Sequence, residues 1–224
     1  MVAAGSETRF QRARSPEAKQ QREAAILAAA TRLGAQHGIR QITLTDIAAA
    51  VDMHKSALLR YFETREQIFL QLSASEWREW TSTLLTRTRE MAPATATCAI
   101  AEALSQTLVR RPLFCDLLAQ TPLNLERNVS VEQVRAFKLV THAQVEAIAG
   151  ELRRLRPALS EVEAVDVIAT ATAMAGAMWQ MATPPTEVAE LYRNDPLLSL
   201  AVFDVGARLT RILTALIDGY GTQA

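Results

Sequence analysis

The sequence predicts an all-α fold, a small N-terminal helical domain followed by a larger helical one, and three observations predict it. Apolar residues recur at three- and four-residue spacing along most of the chain, and no segment shows the alternation of a half-buried strand. Ala and Leu abound, whereas Gly and Pro number only eight each. Ser or Thr stands three positions ahead of an acidic or amide residue at the head of several periodic segments, the mark of a helix start. Hydrophobic residues make up 49% of the 224, enough for a sizeable core and too many for a disordered chain.

Residues 1–16 read as a flexible basic arm. A first helix over 17–37 carries Ile26, Leu27, Ala30 and Leu33 on one face, and Gly38 stops it. A short second helix starts at Thr43 as N-cap with Asp46 three residues on, and turns Leu44, Ile47, Ala48 and Val51 inward. Asp52 and Met53 make a tight turn, and a third helix covers 54–62. A long helix over 65–90 follows, with Ile68, Phe69, Leu72, Trp80 and Leu84 inward, closed by Pro93. Further helices are predicted over 95–110 and from Pro112 to Gln120, with Pro122 starting a loop. Ser130 with Gln133, and Ser160 with Glu163, read as capping boxes for helices to about Arg156 and to just before Pro184. A short helix over 187–193 and a long one over 197–220 complete the chain.

The formal net charge is zero, but its distribution is uneven. Residues 1–70 hold ten Lys/Arg against seven Asp/Glu, and residues 71–224 hold fourteen against seventeen. The sharpest basic run is Arg9, Arg12, Arg14, Lys19 and Arg22. Cys98 and Cys115 form no Cys-x-x-Cys pair, the three His are too scattered for a metal site, and no cofactor is expected. Free cysteines and the lack of a secretory pattern predict a reduced, cytoplasmic setting. The uncharged run 167–186 is Ala-rich, holds four Thr and has Pro184 and Pro185 near its end, so a packed helix and loop fit it better than a membrane span. No phosphate loop, nucleophile elbow or paired catalytic carboxylates point to an enzyme.

Three short helices within about fifty residues, the last two joined by a tight turn, make a helix-turn-helix pattern. Small Ala48 lets the second and third helices approach, and Ile47, Val51, Leu58 and Phe62 fill the angle between them. The opposite face of the third helix then offers Lys55, Ser56 and Arg60, flanked by His54 and Tyr61, to double-stranded DNA. Thr43 and Thr45 sit at the N-terminus of the second helix, where unpaired backbone N–H groups suit a phosphate.

The run from Thr43 to Phe62, with Thr64, Arg65, Glu66, Gln67, Ile68 and Phe69 after it, resembles the signature of the tetracycline-repressor (TetR) family over roughly residues 20–70. The resemblance implies a homodimeric repressor: a DNA-binding domain over 17–64, and a ligand-binding and dimerisation domain over 65–224 that sets the spacing of two DNA-reading heads. Asp52 stands where the family usually has Gly, Leu59 where it often has Tyr, Ala57 where Thr is common, and Gly34 where a large apolar residue is usual. Asp tolerates a positive φ, so the turn survives. Gly34 should cost about 1 kcal/mol of helix stability relative to Ala.

Two further expectations concern the larger domain. Trp80, Phe114, Leu118, Phe137, Thr141 and Met178 are expected to face one another as a pocket for a small hydrophobic or aromatic ligand. The helices over 160–183 and 197–220 are expected to pair with their symmetry mates, through Val167, Ala171, Met174 and Met178 on one and Leu200, Phe203, Ala207, Thr210, Leu213 and Leu216 on the other. The alternative function is a helical interaction module that binds no DNA.

Overall fold

A computed structural model describes residues 16–221, and the predicted basic arm lies outside them apart from Pro16. Ten α-helices follow in order: α1 (Pro16–His37), α2 (Leu44–Ala49), α3 (Lys55–Leu58), α4 (Arg65–Thr88), α5 (Thr97–Val109), α6 (Pro112–Gln120), α7 (Val131–Leu155), α8 (Glu161–Ala182), α9 (Thr186–Asn194) and α10 (Val205–Gly221). Among the described residues there is no strand.

α4 is the spine. Its N-terminal turns bury Ile68, Phe69 and Leu70 where it packs on α1, and its later turns bury Trp77, Trp80 and Leu84 among α5, α6 and α7. Thr64 caps it, accepting a hydrogen bond from the Gln67 N–H at 3.1 Å. α8 lies across α6, α7 and α10, with Ala164, Val167, Ile168, Ala171 and Ala175 inward. Ala and Gly on that face permit close approach: a Cβ at Gly176 would stand 2.8 Å from the Ala119 backbone nitrogen of α6. α8 is long and apolar enough to cross a membrane, and its inward face packs on its neighbours.

The elements differ from expectation where tertiary contacts outweigh local signals. α3 is a single α-helical turn ending at Leu58, after which turns carry the chain to Phe62. Pro122 begins no loop, because Thr121–Leu125 continues α6 as a π-helical turn. Ser130 precedes α7 but makes no capping hydrogen bond. Instead its hydroxyl donates to the Glu63 carboxylate at 2.8 Å, tying the head of α7 to the segment after α3. The last helix starts at Val205, not 197, so Leu200 lies on a 3₁₀ turn (Pro196–Ala201) and Phe203 precedes the helix.

The expected interface stripe on α8 also points elsewhere. Val167 and Ala171 are fully buried within the protomer and Met178 nearly so, while Met174 is half-buried. The outward apolar stripe of α8 is Val162, Val165, Ala169, Ala173, Ala177 and Met181. On α10, Leu213 is likewise buried, packed with Leu209 and Ile217 towards α5 and α8. On α8, inward Val167 and Ala171 lie two residues from outward Val165, Ala169 and Ala173, so apolar periodicity alone does not tell the two faces apart.

Candidate nucleic-acid interface and effector groove

The pair α2–α3 is built from its caps. The Thr43 hydroxyl accepts from the Asp46 N–H at 3.2 Å, and the Asp46 carboxylate accepts from the Thr43 N–H at 2.8 Å. The Thr43 hydroxyl, donating to that carboxylate at 2.6 Å, and next the Thr43 N–H hold the Asp46 carboxyl below its ordinary value of 3.8. Asp52 takes φ 52°, the left-handed conformation the turn needs, and the Met53 N–H closes the turn on the Ala48 carbonyl at 2.9 Å. Ile47, Ala48, Leu58 and Phe62 fill the angle. Thr43, Thr45, His54, Lys55, Ser56 and Arg60 are exposed and Tyr61 is half-buried. His54 is the N-cap of α3 without a side-chain capping bond, and Leu59 is 44% exposed beside Arg60.

A clamp that sequence reasoning missed holds this unit to the remaining helices. The Ile39 N–H, in the segment between α1 and α2, donates to the Asp116 carboxylate of α6 at 2.8 Å. The other Asp116 oxygen accepts from the Gln180 amide of α8 at 2.8 Å. On the opposite side, the Arg65 guanidinium of α4 donates to the carbonyls of Ile39 and Ile42 and lies 4.9 Å from the Phe69 ring centre. Gly34 completes the joint: a Cβ there would meet Leu113 of α6 at 3.0 Å, so the missing side chain is the seat of a neighbour's. The one available signal was an Asp inside the apolar run of α6.

A groove of ≈ 480 Å³ opens between α4, the end of α6, α7 and α8. Trp77, Leu118, Phe137, Val145 and Ile168 give it apolar walls, and Thr121, Thr141 and Thr172 give it polar points. Its rim includes Val165, Ala169 and Ala173 from the outward stripe of α8. Of the six residues expected to face one another, Leu118, Phe137 and Thr141 line this groove. Trp80, Phe114 and Met178 do not. Trp80 and Phe114 are fully buried and pack with Trp77, the Trp77 and Trp80 ring centres 5.4 Å apart and Trp77 and Phe114 5.6 Å, while the Trp80 indole N–H is satisfied by Thr107 at 2.9 Å. Met178 is buried on the inward face of α8. Thus the aromatic cluster is the floor beneath the groove, and Trp77 is its link to both.

Two family models match the chain: "Bacterial regulatory proteins, tetR family" over residues 26–72, and "Tetracyclin repressor-like, C-terminal domain" over residues 74–224. Solved structures share the fold. The fatty acid degradation regulator FadR of Bacillus halodurans is 15% identical, with a TM-score of 0.57 over 93% of this chain and 98% of that one. A TetR/AcrR-family transcriptional regulator of Thermobifida fusca is 18% identical, with a TM-score of 0.53 over 89% and 98%. A tetR-family regulatory protein of Rhodococcus RHA1 is 16% identical, with a TM-score of 0.53 over 87% and 96%. No curated protein matches the sequence.

Proposed function

The chain belongs to the TetR family of DNA-binding transcription regulators, and from that premise we propose that it is a ligand-responsive repressor that binds a pseudo-palindromic operator as a cytoplasmic homodimer. Residues 17–64 serve as the DNA-binding domain and 65–224 as the ligand-binding and dimerisation domain; the role is regulatory, not catalytic. The observation that carries the reading is the α2–α3 pair, with α2 capped and the turn closed on Ala48, which buries Leu58 and Phe62 and leaves Lys55, Ser56 and Arg60 exposed together. α3 enters the major groove with these residues and with His54 and Tyr61 at its edges, while Thr43 and Thr45 bring the α2 N-terminus to a phosphate.

The small hydrophobic or aromatic ligand occupies the groove above Trp77. Its walls include the end of α6, which through Asp116 holds the segment leading into α2. Ligand that favours another setting of α6 re-aims the heads, which no longer match half-sites about 34 Å apart. By linkage, operator DNA weakens the ligand by the same factor.

A gel shift on the DNA flanking the protein's own gene, repeated across salt concentrations, tests the reading. A specific, strongly salt-dependent complex is expected. No shift at any salt favours the alternative, a helical interaction module that binds no DNA.

A further inference from the structure

We propose that the groove takes a neutral aromatic molecule carrying a hydroxyl group, a phenol rather than an ether or a carboxylate; this rests on the groove being the effector site. The reason is what its polar groups have left to offer. A threonine hydroxyl has one hydrogen and two lone pairs. Thr121 spends its hydrogen on the Leu117 carbonyl at 2.7 Å, Thr141 on the Lys138 carbonyl at 3.1 Å and Thr172 on the Ile168 carbonyl at 2.9 Å. All three therefore present only acceptor capacity to a bound molecule. A ligand that cannot donate covers these oxygens and leaves them without the water they would otherwise bind.

Charge selects in the same direction. The lining cation, Lys138, is already paired with Glu126 at 2.7 Å, and both line the groove. A carboxylate ligand would displace Glu126 or sit beside its charge, and a cationic one would face Lys138. Neutral ligands meet neither obstacle. Among the described residues the Trp77 indole N–H has no hydrogen-bond partner, unlike that of Trp80, and Trp77 is a lining residue of the groove. A hydroxyl donates to a threonine and accepts from an indole; an ether can only accept. The apolar body is set by Trp77, Phe137, Leu118 and Ile168, whose walls fit a flat ring system, and the volume lies within the range of small-molecule sites.

The test is isothermal titration of the full-length protein at neutral pH with three probes of one shape: 2-naphthol, 2-methoxynaphthalene and 2-naphthoate. Expected is 2-naphthol binding about tenfold tighter than either of the others, the worth of roughly one net hydrogen bond. Thr172→Val or Thr141→Val, which removes an acceptor at nearly constant shape, should cut that advantage while leaving the affinity of the methyl ether unchanged. Ether or carboxylate binding as tightly as the naphthol overturns the phenol assignment and leaves the groove as the effector site. A naphthol preference that survives both valine variants overturns it as well. Failure of all three probes to bind, up to their solubility, overturns the groove itself.

Discussion

The Asp116 carboxylate accepts the Ile39 backbone N–H at 2.8 Å, while Arg65 donates to the carbonyl of that same residue. One peptide segment just ahead of α2 is thus held from α6 on one side and from α4 on the other. Any relative movement of those two helices must be absorbed there, because Ile39 itself is fully buried and cannot trade these partners for water.

Asp116→Ala should leave both the Ile39 N–H and the Gln180 amide without their acceptor. The Ile39 N–H is buried, and orphaning it costs about 1–3 kcal/mol, whereas half-buried Gln180 can turn to water. Urea denaturation should show a loss in that range, with Asp116→Asn losing less because it keeps one acceptor oxygen. Exchange of the Ile39 amide hydrogen should quicken in both variants. A stability within 0.5 kcal/mol of the parent in Asp116→Ala, a margin typical of inert surface changes, would show that solution does not maintain this bond.

Lys55 is exposed on α3, and the proposed reading sets its charge against DNA. Lys55→Ala should lower operator affinity and reduce the slope of log affinity against log salt by roughly one unit per head. Lys138→Ala, on α7, is the control and should leave the slope unaltered. Fluorescence anisotropy with labelled operator checks both; equal slopes for the two variants would take Lys55 off the DNA surface.

The helix-turn-helix was readable because its determinants are local. Thr43 and Asp46 cap each other three residues apart, Asp52 carries the turn's backbone conformation, and Leu58 and Phe62 lie one turn from one another. Helix order was readable for the same reason, through caps such as Ser160 with Glu163. What stayed hidden depends on partners far along the chain. Asp116 and Ile39 are 77 residues apart, and Ser130 looked like a helix cap until Glu63 supplied its acceptor. Aromatic residues misled in another way: Trp80 and Phe114 have a pocket's chemistry but fill the core, whereas Trp77, one turn earlier, reaches the groove.

Glu151 joins α7 to the end of α4, accepting from Thr88 and from Arg154, whose guanidinium also reaches the Thr88 and Met91 carbonyls. The Arg154 hydrogen bonds hold its carboxyl below the ordinary 4.5, against the opposing effect of burial. A carboxyl with a lowered folded-state value stabilises the fold above 4.5, and that contribution fades as pH falls through the folded-state value. Glu151→Gln should therefore melt lower than the parent at neutral pH, with the gap closing in acid below about pH 4.5. Calorimetry from pH 7 to pH 3 reads this; a gap that stays constant in acid would exclude Glu151 as its source.

Ala171 and Ala173 are two residues apart on α8 and face opposite ways. Ala171 is fully buried inside the protomer, and Ala173 belongs to the outward stripe with Ala169 and Ala177. Regulators of this family act as dimers, and a two-fold pairing through the outward face of α8 would bury Ala173 against the partner. An arginine at each position therefore asks a different question. Ala171→Arg puts an unpaired charge and a long side chain into a filled core, so the protomer itself should lose stability by several kcal/mol or fail to fold. Ala173→Arg keeps the protomer core intact but buries like charges on both sides of the interface. It should give a helical monomer at micromolar concentration, with the circular dichroism spectrum of the parent and weakened operator binding. Light scattering and far-ultraviolet dichroism on the same samples separate the cases. A folded, fully dimeric Ala173→Arg would move the interface off this face of α8, and a stable Ala171→Arg would contradict the packing of that helix against the core.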